Sequence, residues 1–209
     1  MKYLSDVLAV LPSFWQLLPA TALVAILIFF VKEYLEGRRR RSADARKVQA
    51  LKKVLARECQ LNYSAIDRLR NALTEIKKLG VTKGATRLSL SKSPAGGYTY
   101  MITDDSGTIS GGVLISIQKD YILKHLVEIA GLNESFYSKC EIALDGLSDA
   151  NHIYQSLVNG PDKHFPYTPE NYYEGLIDYG LEQLNDSIVA VQELFLACTG
   201  SVLEHGKLR

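Results

Sequence analysis

Residues 134–159, ESFYSKCEIALDGLSDANHIYQSLVN, carry the clearest folding signal in the chain. Apolar positions recur in this stretch with alternating spacings of four and three, which is the period of helices that pack in bundles. These positions are Phe136, Cys140, Ala143, Leu147, Ala150, Tyr154 and Leu157. The pattern predicts a helix with one buried face, ended by Asn159-Gly160-Pro161.

Two further stretches have the same character on either side of it. A first long helix is predicted from Ser42 to Leu79 and a last one from Pro169 to about Leu203, with a short helix over Lys119–Ala130 closed by Gly131. The first stripe is Leu51, Leu55, Cys59, Asn62, Ile66, Leu69, Leu73 and Ile76; the last is Tyr173, Ile177, Leu181, Leu184, Ile188, Val191, Phe195 and Cys198. The sequence thus predicts a mostly α fold, an antiparallel helical bundle. Asn62 is interpreted as a buried amide that bonds locally or fixes helix register, or else as a polar site in the bundle.

Residues 81–118 differ because they are rich in glycine. Short β-prone pieces occur at Thr86–Leu90, Tyr98–Thr103 and Val113–Ile117. Turns are expected at 93–97 and 104–107, and Gly111-Gly112 is also read as a turn. A small β-hairpin-like insertion of two or three strands is therefore expected, and an ordered loop over one end of the bundle is the alternative.

The N-terminal part of the chain predicts a membrane anchor. No charged residue occurs between Val7 and Val31, and a transmembrane helix is predicted at 14–32 after a short extracytoplasmic tail at 1–13. Positive charges follow this segment instead of preceding it, so a cleaved signal peptide is disfavoured.

The basic juxtamembrane segment at 33–41 sets the predicted orientation. Arg38, Arg39, Arg40 and Arg41 lie directly after the apolar stretch, so the positive-inside rule places the domain at 42–209 in the cytoplasm. The expected localisation is single-pass in a membrane, of the bacterial inner-membrane kind, with the N-terminus outside. The arginines are interpreted as contacts to the lipid bilayer rather than a nuclear signal or a nucleic-acid patch.

Charge and cysteine content narrow the classes of function. The net charge is only +1, which argues against a nucleic-acid partner. Residues 1–103 carry 18 Lys and Arg against 7 acids, whereas residues 104–209 carry 6 against 16. Cys59, Cys140 and Cys198 lack the spacing of a zinc or redox motif and are expected to be reduced core residues.

The last helix carries an acid at every fourth position. These residues are Glu170, Glu174, Asp178, Glu182 and Asp186. Like charges at this spacing weaken a helix, so something should offset them. Three explanations stay open: the basic first helix beside them, a basic protein partner, or simple solvation. A carboxylate metal site is disfavoured because no Glu-x-x-His motif is present.

No motif for phosphate binding, dinucleotide binding or nucleophilic catalysis occurs, and no cofactor or metal is expected. The favoured function is a non-enzymatic, membrane-anchored interaction or regulatory module with a protein partner. One alternative is a membrane-bound enzyme with a site near the glycine-rich insertion, using residues such as His164, Asp104 and Asp105. Another is a self-assembling structural or signalling component, a homo-oligomer formed through the first helix and testable by crosslinking at Cys59.

Overall fold

The computed structural model describes residues 20–80, 87–94, 97–160 and 169–203, without the side chains of residues 20 and 169–171. The chain divides into two units, residues 1–47 and 48–209. Four helices and one antiparallel sheet make up the described part of the chain. They are α1 (Ala20–Lys78), β1 (Arg87–Lys92), β2 (Tyr98–Asp104), β3 (Gly107–Leu114), α2 (Asp120–Leu132), α3 (Glu134–Asn159) and α4 (Pro169–Thr199). The prediction of a mostly helical, bundle-like fold with a small β insertion is confirmed.

Helices α3 and α4 form an antiparallel pair. Lys139 donates to Glu193 (2.6 Å) near one end of the pair, and the Tyr172 hydroxyl donates to the Ser156 carbonyl (2.9 Å) near the other. All seven positions of the α3 stripe predicted from the sequence are buried, with Ile153 in addition. The spacing of four and three therefore identified the buried face of α3, because that spacing keeps side chains on one side of a helix.

Helices α3 and α4 approach each other closely at Gly146, in the seam between them. The Ser187 hydroxyl donates to the Gly146 carbonyl across the seam (2.7 Å). A Cβ added to Gly146 would lie 3.1 Å from the Cα of Ser187. Glycine at 146 thus lets the two backbones approach, so that the Ser187 hydroxyl reaches the Gly146 carbonyl.

Helix α1 also runs antiparallel to α4 in the second unit. Arg70 donates to Asn185 (3.4 Å), and Lys77 donates to Asp178 (2.8 Å). The α1 stripe is buried from Leu55 onward, in line with the sequence pattern, and Leu51 is half-buried.

The α1 helix is longer than the sequence pattern indicated. The described helix has 59 residues, Ala20–Lys78, and the basic segment at 33–41 is part of it. Gly37 does not break it, since one interior glycine costs only about 1 kcal/mol relative to alanine. The helix ends at Lys78, two residues before Gly80, whose positive φ of 76° lies outside the right-handed helical region.

The sheet has the order β1-β2-β3, and its inner face joins the core through Tyr100, Ile102 and Leu114. Two expectations were wrong here. The third strand covers 107–114 instead of 113–117, because its pairing with β2 starts directly after the 104–107 turn. Gly111-Gly112 lies inside β3 and is not a turn. A Cβ at these two glycines would lie 2.8 Å from the Tyr100 carbonyl oxygen or ring, so close approach explains them.

The short helix α2 links the sheet to α3. Helix α2 continues through Gly131 to Leu132, two residues beyond the predicted end at Ala130. It buries Ile122 and Ile129. Asn133 then caps α3 by accepting from the Phe136 amide (2.8 Å). Helix α4 ends at Thr199, earlier than the predicted 203.

The predicted transmembrane helix at 14–32 is described only from residue 20 onward. Within the described ranges, no helix has both the length and the apolar character needed to cross a bilayer.

Candidate functional site

Helix α4 presents an acidic face, which consists of Glu174, Asp178, Glu182 and Asp186 and is continued in the sequence by Glu170. The side chain of Glu170 lies outside the described residues, and the other four acids are exposed. Each step of four residues turns 40° beyond a full circle, so the face winds by about 120° from Glu174 to Asp186. The four described carboxylates therefore form a continuous, slowly spiralling surface.

One acid of this face is neutralised internally. Asp178 pairs with Lys77 of α1 at 2.8 Å, and both side chains are more than half exposed. Such a pair contributes about 1 kcal/mol at most. Among the described side chains, Glu174, Glu182 and Asp186 make no ion pair. The basic first helix thus compensates the acidic face at one position, and most of its charge faces solvent.

A second row of acids was missed in the sequence. Glu141, Asp145 and Asp149 recur at the same spacing of four on α3, and all three are exposed. The signal is the same spacing of four that marks α4, but it stands beside the stronger apolar stripe of α3. This row supplies a matched comparison for the acidic face.

The first unit exposes an apolar girdle, defined as residues 26–31 of α1. All six of its side chains, Ile26 to Val31, are large, apolar and exposed, and Phe30 is 66% accessible. Six consecutive helical residues cover the whole circumference at 100° each. The girdle is therefore apolar on every side, unlike the one-sided stripe of a helix that packs on a soluble core.

Four arginines follow the girdle on the same helix. Arg38, Arg39, Arg40 and Arg41 are all exposed and point in four directions around the axis. Glu36 accepts from Arg40 at 2.6 Å, one turn away. That hydrogen bond and the negative charge of Glu36 raise the pKa of Arg40, so its guanidinium stays protonated.

A buried polar cluster lies where α1 meets the start of α2. Both polar atoms of the Asn62 side chain are hydrogen-bonded: its Oδ1 accepts from the Gln118 amide (2.8 Å) and its Nδ2 donates to the Gln118 carbonyl (2.5 Å). Asn62 therefore binds a distant backbone segment, whereas the sequence analysis favoured a local bond or a role in helix register. Glu58, one turn earlier, accepts from the Tyr121 amide (3.3 Å).

Glu58 is the least expected member of this cluster. It is only 4% exposed, and its Oε2 has no hydrogen-bond partner among the described residues. Burial raises its pKa to about 7, opposed by the amides of Tyr121 and Ile122. The periodic pattern does not reveal this burial, because Glu58 lies beside the apolar stripe of α1 and not in it.

The two described residues of the enzyme hypothesis, Asp104 and Asp105, lie at the turn between β2 and β3. The Asp104 carboxylate is hydrogen-bonded within the turn, where its Oδ1 accepts from the amide (2.8 Å) and the hydroxyl (2.6 Å) of Ser106. These bonds lower the pKa of Asp104. Asp105 is exposed in the same turn, and His164 lies outside the described residues. Within those residues, no cluster of His, Cys, Asp and Glu is arranged to hold a metal ion.

The three cysteines are free thiols in the bundle. Cys59 and Cys140 are buried and Cys198 is half-buried. Burial raises the pKa of Cys140 to about 12 and that of Cys198 to about 11, and it raises the pKa of Cys59 further. Cys59 is 2% exposed, so it is unsuited to the crosslinking test of a homo-oligomer.

No protein-family model, curated protein or solved structure matches the chain.

Proposed function

We propose that this protein is a membrane-anchored, non-enzymatic interaction module. In this proposal the N-terminal helix holds the chain in a bilayer, and the acidic face of α4 binds a basic surface on a protein partner. Positive residues after the anchor support a bundle on the cytoplasmic side of a membrane of the bacterial inner-membrane kind.

The apolar girdle is the observation that carries the anchor. Exposing six large apolar side chains around a helix to water is unfavourable by about 25 cal/mol for each Å² of apolar surface. A bilayer removes that penalty, since its hydrocarbon surrounds a helix on all sides. The uncharged sequence from Val7 onward extends the same apolar character toward the N-terminus.

The four arginines fit the edge of such an anchor. At 1.5 Å per residue, Arg38 lies about 10 Å beyond Val31 along the helix, and Arg41 about 15 Å. Long arginine side chains reach back toward headgroups from that distance. Because the arginines surround the axis, a helix that crosses the membrane lets all of them reach lipid, at about 1 kcal/mol each on an anionic surface.

The acidic face supports a basic protein partner. Three of its described acids have no ion pair within the described residues, and like charges four residues apart disfavour the helix by about 0.2–0.5 kcal/mol per pair. A basic partner would remove this repulsion and gain electrostatic steering. The membrane anchor would raise the local concentration of that partner if it is also membrane-bound.

Extraction of membranes with alkaline carbonate tests the anchor. The double variant Val24→Asp, Leu27→Asp places two charges in the predicted span, each of which costs roughly 3 kcal/mol in a bilayer. We expect the native chain to stay in the membrane pellet and this variant to be extracted. The control Val189→Asp, Leu196→Asp changes two exposed apolar residues of α4 and should stay in the pellet. Extraction of the native chain, or retention of the span variant, would contradict the anchor.

Crosslinking in native membranes followed by affinity capture tests the partner surface. The variant Glu174→Gln, Glu182→Gln, Asp186→Asn removes three charges and leaves the pair between Asp178 and Lys77 intact. Circular dichroism first verifies that it folds like the native chain. We expect it to lose a basic protein that the native chain captures.

The control for this experiment neutralises the second acidic row. Glu141→Gln, Asp145→Asn, Asp149→Asn removes the same number of exposed charges from α3. It should keep the partner if the acidic face of α4 is specific. Equal loss in both variants would reduce the effect to net charge, and an unchanged partner in the α4 variant would reject the acidic face as a binding surface.

A further inference from the structure

The junction between α1 and α2 holds the short helix by two side chains of α1. Asn62 binds both the amide and the carbonyl of Gln118, and Glu58 accepts from the Tyr121 amide. The two side chains lie four residues apart, so they project from the same face of α1. Lys119, at the N-cap of α2, contributes no side-chain cap. Glu58 therefore replaces the local cap that α2 lacks.

The geometry at Glu58 favours its neutral form. The distance from Glu58 Oε1 to the Tyr121 nitrogen is 3.3 Å, longer than the usual range of about 2.7–3.2 Å for an N–H···O hydrogen bond, so this amide stabilises an ionised carboxylate only weakly. The other oxygen, Oε2, is buried without a hydrogen-bond partner in the described structure. An ionised oxygen in that position is costly, and a protonated one is less so.

We propose that Glu58 and Asn62 form a proton-controlled latch that holds α2 closed against α1 when Glu58 is protonated and loosens when Glu58 ionises. Opening would bring the carboxylate into water and free the first turn of α2. That helix already exposes Leu123 and Val127, the latter at 86%, and opening would add the buried Ile122. The latch therefore controls how much apolar helix surface the protein presents.

The surrounding groups define the direction of the effect. On α2, Asp120 opposes ionisation of Glu58 and His125 favours it; Cys140 on α3 and the neighbouring Cys59 also face the carboxyl group. Burial dominates and raises the pKa from 4.5 to about 7. A raised carboxyl pKa means that the closed state holds its proton longer than the open state does. Closure is therefore strongest at low pH and is lost progressively as the pH rises from about 4.5 to about 7.

Hydrogen exchange of the full chain in a mild detergent, followed by mass spectrometry between pH 5 and pH 8, tests the latch. After correction for the intrinsic exchange rates, we expect protection of the α2 amides to fall by up to roughly 70-fold over this range. Protection in the centre of α3 should change much less. A flat profile for α2, or an equal fall in α3, would overturn the proposal.

Variants assign the effect to Glu58. Glu58→Gln keeps the size of the side chain and cannot ionise, so the α2 profile should become flat, whereas Glu141→Gln, on the exposed surface of α3, should keep the native slope. A native slope in Glu58→Gln would overturn the proposal. If Glu58→Gln fails to fold by circular dichroism, His125→Gln decides: a retained slope supports Glu58, and a lost slope assigns the pH dependence to the histidine and overturns the latch.

Discussion

The carboxylate of Glu75 holds the sheet to α1, and removing one hydroxyl from that contact should have a measurable effect. Glu75 Oε2 accepts from the Tyr100 hydroxyl (2.7 Å) and from the Ser110 hydroxyl (2.7 Å). Tyr100 is 6% exposed, and burial together with the Glu75 carboxylate raises its pKa, so the hydroxyl stays protonated. Hydrogen bonds to charged groups contribute about 1.5–3 kcal/mol. Because Glu75 is half-buried, we expect Tyr100→Phe to lower the free energy of unfolding by about 1.5 kcal/mol.

Urea unfolding followed by circular dichroism measures this loss, and hydrogen exchange of the β2 amides locates it. Glu75→Ala should cost more, about 3 kcal/mol, since both hydroxyls lose their acceptor. A double-mutant cycle between Glu75 and Tyr100 should give a coupling of about 1–2 kcal/mol. The control is Tyr137→Phe, because Tyr137 donates to Glu141 with the same chemistry on the exposed surface of α3. That change should leave stability within experimental error, and equal effects at Tyr100 and Tyr137 would refute the reasoning.

Two further predictions concern the bundle. Gly146→Ala should lower the free energy of unfolding in urea by about 1 kcal/mol, because overpacking at the α3–α4 seam outweighs the gain in helix propensity. Gly175→Ala is the control, because the space around Gly175 is open. It should raise the free energy of unfolding by about 0.5–1 kcal/mol. Thiol labelling of the native protein at pH 8 should be slow, since the pKa of about 11 leaves Cys198 almost entirely protonated and Cys59 and Cys140 are buried. Labelling as fast as in the denatured chain would contradict the buried positions.

The helices could be predicted from the sequence because their signal repeats. The α3 stripe is correct at every position, and the helix has the predicted bounds, Glu134–Asn159. All seven apolar positions of the stripe agree on one period, so the buried face of α3 is determined by its local sequence and does not depend on a distant contact. The register of β3 could not be predicted in this way. It depends on pairing with β2 and on the space beside Tyr100, and a pair of glycines in isolation indicates a turn more strongly than a strand.

The two candidate sites differ in the same way, since the acidic face has a periodic sequence signal and the cluster of Glu58 and Asn62 has none. The acidic face was visible because it repeats every four residues, and the structure adds that only Asp178 is paired, with Lys77, among its described members. The cluster of Glu58 and Asn62 was invisible as a unit because its partners, Gln118 and Tyr121, lie about 60 residues away. The sequence pattern marks Asn62 only as a polar residue in an apolar stripe. A single non-periodic contact between distant segments leaves no pattern in one sequence.

The buried position of Glu58 has a consequence for stability whose sign depends on pH. At pH 8 the carboxylate is ionised, and the shift of its pKa from 4.5 to about 7 corresponds to a penalty of about 2 kcal/mol after allowance for solvent screening. At pH 5 it is protonated in the folded state and still caps α2, a contact of about 1 kcal/mol. Replacement by leucine removes both terms. We therefore expect Glu58→Leu to stabilise the protein at pH 8 and to destabilise it at pH 5, as measured by urea unfolding at the two values. A change of the same sign at both would mean that packing, and not the proton, decides the energetics at this junction.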